Sequence, residues 1–153
     1  MHTKSCLLLM FSIPSQVLIP RLQSDLASAL LVACKGELQG LSLSWSNEAA
    51  LVVVLASNGY PGEYKKGTMI QNLEAAATAA SKVKIFHAGT DVDFHGNVIA
   101  SGGRVLGVAA MGKEIAQAQE RAYAAVDTIN WPDGFCRRDI GWRAIASSKV
   151  MAK

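Results

Sequence analysis

The residues best placed to do chemistry are those around Arg104, which directly follows Gly102 and Gly103. A guanidinium beside two glycines, where backbone N–H groups can be approached closely, suits a phosphate or a carboxylate. The same pattern also fits an edge-strand arginine pairing with a surface carboxylate. Tyr60 lies inside Asn58-Gly59-Tyr60-Pro61-Gly62, a rigid turn that either presents the ring to a ligand or simply makes a corner. Arg137, Arg138 and Arg143 surround Asp139 and would either close an anionic pocket with Tyr60 or form a solvated basic face. The span from Gly62 to Gly67 has the glycine spacing of a phosphate-cradling loop, but Thr68 and Met69 stand where Lys and Ser/Thr are required. That reading is excluded. His87 and His95 have no carboxylate or thiol at a metal-ligand spacing. They are expected at a strand edge or interior and in a turn, respectively.

These residues need a scaffold, and the apolar pattern supplies one. Val83 to Phe86, Val98 to Ala100 and Val105 to Ala110 read as strands, separated by Asp93-Phe94-His95-Gly96-Asn97 and Ser101-Gly102-Gly103. The simplest outcome is a three-stranded antiparallel meander with Arg104 leaving its second turn. From Pro14, the spacing of Val17, Leu18, Leu22, Leu26, Leu30 and Leu31 predicts a helix that stops at Gly36. Leu41 to Trp45 alternates like a strand, and Ala49 to Ala56 reads as one buried on both faces. Gln71 to Ser81 suggests a short helix or a loop. Ile115, Ala118, Ala122, Val126 and Ile129 form the stripe of a longer helix from Lys113 to about Asn130, ended by Pro132 and Gly134. The expected fold class is α+β: a small, mostly antiparallel sheet flanked by two main helices, those of Val17 and Ile115.

Composition limits the function classes. The chain has 153 residues, 50% of them hydrophobic, and one domain of that size buries about 70% of its unfolded surface. A net charge of +3, with both signs interspersed, does not argue for nucleic acid. Cys6, Cys34 and Cys136 are odd in number and far apart, which indicates neither a disulfide framework nor a zinc site and implies a reducing compartment. Cys6 to Ile13 is an apolar run too short to span a bilayer, and it has no small-x-small cleavage site. No other segment is a membrane candidate.

Five motifs occur in order: GYPGEYKKG at 59–67, KIFHAGT at 84–90, GGRVLGV at 102–108, AQAQERAY at 116–123 and FCRRDIGWRA at 135–144. Together they resemble the C-terminal domain of glycinamide ribonucleotide synthetases, also called phosphoribosylamine–glycine ligases, which are ATP-grasp enzymes of purine biosynthesis. The likeness spans about Gln16 to Ile145. It implies residues 16–146 as that domain, 1–15 as an atypical leader replacing the end of the ATP-grasp core, and 147–153 as a tail. The implied activity joins glycine to 5-phosphoribosylamine with ATP and magnesium or manganese, giving glycinamide ribonucleotide. The implied residence is cytosolic, or plastid in a plant. By similarity to related purine enzymes, Arg104 with Gly102 and Gly103 takes the substrate phosphate.

One family segment departs. Where relatives carry E-x-N-x-R-F-G-D-P-E-x-Q, this chain has Leu9 to Gln16, which keeps Phe11, Pro14 and Gln16 and loses the metal-binding Glu and Asn. An apolar run offers a hard cation no carboxylate. The expectation is therefore a chain without catalytic or metal residues of its own, inactive alone and completed by ATP-grasp lobes it lacks. The alternative is a noncatalytic module that binds a sugar phosphate or pairs with a complete enzyme.

Overall fold

A computed structural model describes residues 13–151. Most of the leader, including Cys6 and Phe11, lies outside the described residues. The fold is mixed α+β, with two antiparallel sheets and five helices among those residues.

The main sheet is built on two nine-residue strands, β1 (Ala49–Ser57) and β6 (Arg104–Gly112). They pair antiparallel from Ala49↔Gly112 to Leu55↔Leu106. Strand β3 (Val83–His87) pairs with the outer edge of β6, and β7 (Gly134–Cys136) pairs with β1. The order is β3-β6-β1-β7. A smaller sheet contains β2 (Thr68–Met69), β4 (Thr90–Val92) and β5 (Val98–Ala100), in the order β2-β5-β4.

This corrects the expected meander. The Val98 run does not pair with the Val105 run: β5 lies between β2 and β4, and β6 belongs to the other sheet. The chain changes sheets at Ser101–Gly103, where the Ser101 and Gly102 N–H groups both donate to Gly89 O, at 2.8 and 3.0 Å. A Cβ on Gly102 would press on the Gly89 Cα at 3.1 Å, so two glycine backbones meet where the sheets join.

The single helix expected from Pro14 to Gly36 is two helices, α1 (Ile13–Arg21) and α2 (Leu26–Lys35). The break has two causes. Pro20 sits in the last turn of α1 and removes an amide donor there, and Asp25 caps α2, its carboxylate accepting from the Ala27 and Ser28 N–H groups. Gly36 ends α2 with φ at 75°, as its spacing predicted. The strand expected at Leu41–Trp45 is reduced to an isolated bridge between Trp45 and Leu22.

Helix α3 (Leu73–Thr78) is short, and α4 (Ile115–Thr128) is the long helix read from the sequence. Its buried residues are Ala118, Ala122, Ala125 and Val126, small enough to bring the helix close to the sheet. They pack with Leu51, Val53, Leu55, Leu106, Val108 and Ala110, the inward row of β1 and β6. Leu106, Val53, Val105 and Val108 are fully buried, each contributing about 1.5–3 kcal/mol. Trp131 closes the far end of this core, its Nε1 donating to Thr68 Oγ1 at 2.9 Å. Helix α1 lies on the opposite face of the main sheet, with Gln16 over Gly107. Helix α5 (Trp142–Met151) was not anticipated and runs into the expected tail.

Candidate functional site

Arg104 opens β6 at an irregularity in the sheet. Leu55 pairs with Leu106, but the next residue on β1, Ala56, pairs with Arg104, so Val105 is an extra residue on β6. A bulge of this kind re-aims side chains. Val105 and Leu106 both enter the core, while Arg104 shares the face of Ala56, Val54 and Val52, which is the α1 face.

The turn before it is held from β1 and from the Tyr60 loop. Ser57 N–H donates to Gly103 O at 2.8 Å, and Ser57 Oγ donates to Gly102 O at 2.9 Å. The Tyr60 ring lies against Gly103 so closely that a Cβ there would clash with it. Tyr60 in turn is anchored by its N–H to Ser57 O at 3.0 Å, and its ring meets Tyr64 edge-on at 6.3 Å between centroids.

Sequence-predicted residues are thus partly gathered. Tyr60, Gly102, Gly103 and Arg104 form one cluster. The Gly102 N–H is committed to Gly89, so what the two glycines provide is close packing, and the charged donor of the cluster is the guanidinium. Arg137 and Arg138 follow β7, two strands away from β6. Arg137 forms a two-pronged pair with Asp139 at 2.9 and 2.7 Å, and Arg138 pairs with Asp127 on α4 and lies 5.5 Å from the Tyr123 ring centroid. These bonds hold Asp139 below the ordinary carboxylate range and raise both guanidinium groups further. They staple the segment after β7 to α4, assisted by Tyr123, whose hydroxyl donates to Arg137 O and accepts from Ile140 N–H. The Cys136 thiol nearby is pushed up by burial.

Arg104 differs from every other described arginine. Arg21 and Arg121 donate to carbonyls, Arg137 and Arg138 are ion-paired, and Arg143 lies over Trp142. Arg104 is exposed, and its guanidinium has no ion pair, hydrogen bond or ring contact among the described residues. The edge-strand alternative required a surface carboxylate partner, and none is in place among the described residues.

His87 ends β3 and is exposed, its Nδ1 2.9 Å from Thr90 Oγ1. His95 lies in the β4–β5 turn, its ring tilted against that of Phe94 with 4.6 Å between centroids. Among the described residues no group of three or more His, Cys, Asp or Glu side chains could hold a metal ion. That donor set does not fit a divalent cation. No helix there is long and apolar enough to cross a membrane.

Sequence reasoning missed Ser57 and underused Gln16. Ser57 is the lone hydroxyl closing the apolar run of β1, which was the signal available. Gln16 is buried although it sits on a helix otherwise read by its leucines.

Residues 50–143 match the family model described as "Phosphoribosylglycinamide synthetase, C domain". The chain belongs to this family. Among curated relatives, the chloroplastic phosphoribosylamine–glycine ligase of Arabidopsis thaliana is 62% identical over 90% of the chain and 26% of that protein. The phosphoribosylamine–glycine ligase of Vigna unguiculata is 59% identical over 78% of the chain and 39% of its own length. Bacterial ligases are also similar, the Mesorhizobium japonicum enzyme at 52% identity over 88% of the chain and 31% of the relative. The crystal structure of the Thermotoga maritima phosphoribosylamine–glycine ligase superposes with a TM-score of 0.61 at 27% identity, over 74% of this chain and 26% of that one. The synthetase C-domain chain therefore spans between about a quarter and two fifths of the curated relatives it matches.

Proposed function

We propose that this chain supplies the acceptor-side domain of a phosphoribosylamine–glycine ligase and that Arg104 binds the phosphate of 5-phosphoribosylamine or of the product, glycinamide ribonucleotide. The observation that carries this reading is the unpaired guanidinium. A bulge turns Arg104 away from the core, and the clamped Gly102–Gly103 turn fixes where its strand begins. A free guanidinium rising from a fixed strand start can form a two-pronged, charge-assisted contact with a phosphate. Tyr60 serves as the wall of that turn.

In the complete enzyme, ATP with magnesium or manganese would activate glycine on lobes that this sequence does not match. This chain's own part is to bind and orient the acceptor. The family segment's metal-binding Glu and Asn have no counterpart in Leu9 to Gln16, and on that ground the chain alone is inactive in this reading. The second reading, a noncatalytic sugar-phosphate module, is supported by the same guanidinium. The plastid alternative for residence is favoured by the likeness to the chloroplastic Arabidopsis ligase.

Two measurements test the proposal. Titration with ribose 5-phosphate should saturate, and Arg104→Ala should weaken binding about 10- to 100-fold, the loss expected when hydrogen bonds to a charged group disappear. Absence of saturable binding by the unaltered chain would refute the phosphate role. Glycine-dependent ATP hydrolysis by the purified chain should be undetectable; turnover would overturn its assignment as an acceptor-side part.

A further inference from the structure

We infer that Gln16 is a second ligand contact of the Arg104 site, its side-chain carbonyl accepting from a ring hydroxyl of the sugar whose phosphate Arg104 holds; this rests on the phosphate reading of Arg104. The first observation is an unmet acceptor. Gln16 is 7% exposed, and its Oε1 is buried with no hydrogen-bond partner. Buried amide oxygens are nearly always paired, and leaving one unpaired is costly. A buried acceptor without a partner is a place that can receive a donor from a ligand.

The second observation is position. Gln16 lies directly over Gly107, where any Cβ would clash with Oε1, so that glycine leaves the space the amide occupies. Gly107 pairs with Val54 and Arg104 with Ala56, two residues apart on β1 and on the same face. At about 3.3 Å per residue, the amide and the start of the guanidinium stem are separated by roughly 7 Å along the sheet. A pentose phosphate bridges such a span, with its phosphate at one end and its hydroxyls at the other. Rotation about the outer Gln16 side-chain bonds would carry Oε1 off Gly107 toward Arg104, where a ligand O–H would supply the missing donor.

The chemistry separates two probes. Inorganic phosphate reaches only Arg104, whereas ribose 5-phosphate reaches both residues. In NMR titrations of the 153-residue chain, Gln16→Leu and the more adaptable Gln16→Met should weaken ribose 5-phosphate about tenfold and leave inorganic phosphate unchanged. Arg104→Ala should weaken both. Neither Gln16 variant should lower the melting midpoint, because each removes an unpaired buried acceptor rather than a bond. Ribose 5-phosphate affinity unchanged in both Gln16 variants, or an equal loss for both probes, overturns the inference while leaving the Arg104 reading intact. Unchanged affinity for both probes in Arg104→Ala overturns the Arg104 reading, and the inference with it.

Discussion

At the scale of single residues, the site depends on atoms that are missing. Gly103 has no Cβ because the Tyr60 ring occupies its place, and Gly107 has none because Gln16 does. Adding a methyl group at Gly103 forces the ring or the turn to move, an overpacking cost of about 1–3 kcal/mol. Denaturant melts should show that loss for Gly103→Ala, and Tyr60→Ala in the same background should recover part of it, because contacting residues are not additive. Full additivity would mean the ring does not clamp the turn. Thr68 sets a second case: its hydroxyl accepts the hydrogen bond of the buried Trp131 indole N–H, at 2.9 Å. Thr68→Val keeps the shape and strands that donor, so it should destabilise the fold by about 1–3 kcal/mol.

At the scale of elements, periodicity carried far but pairing did not. β1 was legible because AALVVVLA is apolar at every position, and α4 because its stripe repeats at helical spacing. The partner of the Val98 run was not legible, since three short apolar runs in a row pair equally well as a meander, whereas in the fold β5 pairs with β2 and β4 and the Gly89–Gly102 contact marks where the chain changes sheets. Likewise the leucine spacing ran through Pro20 and Asp25, whose local chemistry outweighs it and makes two helices. Arg104 and its glycines were visible as a motif; its orientation was not, because a bulge is a property of two strands together. The Asp25 cap makes a pH prediction. Hydrogen bonds from the Ser28 side chain, then from the Ala27 and Ser28 N–H groups, lower the Asp25 pKa. A lowered carboxylate contributes stability that is complete above its unfolded value, about 3.9, and is lost as pH falls below that toward the folded value. The melting midpoint of the unaltered chain should therefore exceed that of Asp25→Ala near neutrality and converge on it in acid. A gap that persists below both values would assign the cap's effect to something other than its charge.

At the scale of the whole molecule, half of the exposed large apolar side chains among the described residues fall between residues 18 and 45. Leu18, Leu31, Leu38, Leu41, Leu43 and Trp45 are all exposed, and all precede the region matched by the family model, which begins at residue 50. A groove of about 550 Å³ lies beside α1, walled by Ile19, Pro20, Phe86, Ala109 and Met111 and flanked by the Lys82–Glu48 ion pair. By contrast α4, on the other face of the main sheet, buries its stripe completely enough that Ala118, Ala122 and Ala125 are inaccessible. The main-sheet residues Val52, Ala56 and Ala109 beneath α1 are themselves buried, so the uncovered apolar surface belongs to α1, α2 and the segment that leads to Trp45. Surface of this kind drives association in water when no partner covers it. Sedimentation velocity over a rising concentration series should show the average mass of the chain increasing. Replacing Leu31 and Trp45 with Lys and Gln should shift that increase to higher concentration without changing the melting midpoint, because both side chains lie outside the core. A sharp monomer boundary at every concentration would mean that the residues from 18 to 45 cover one another in solution.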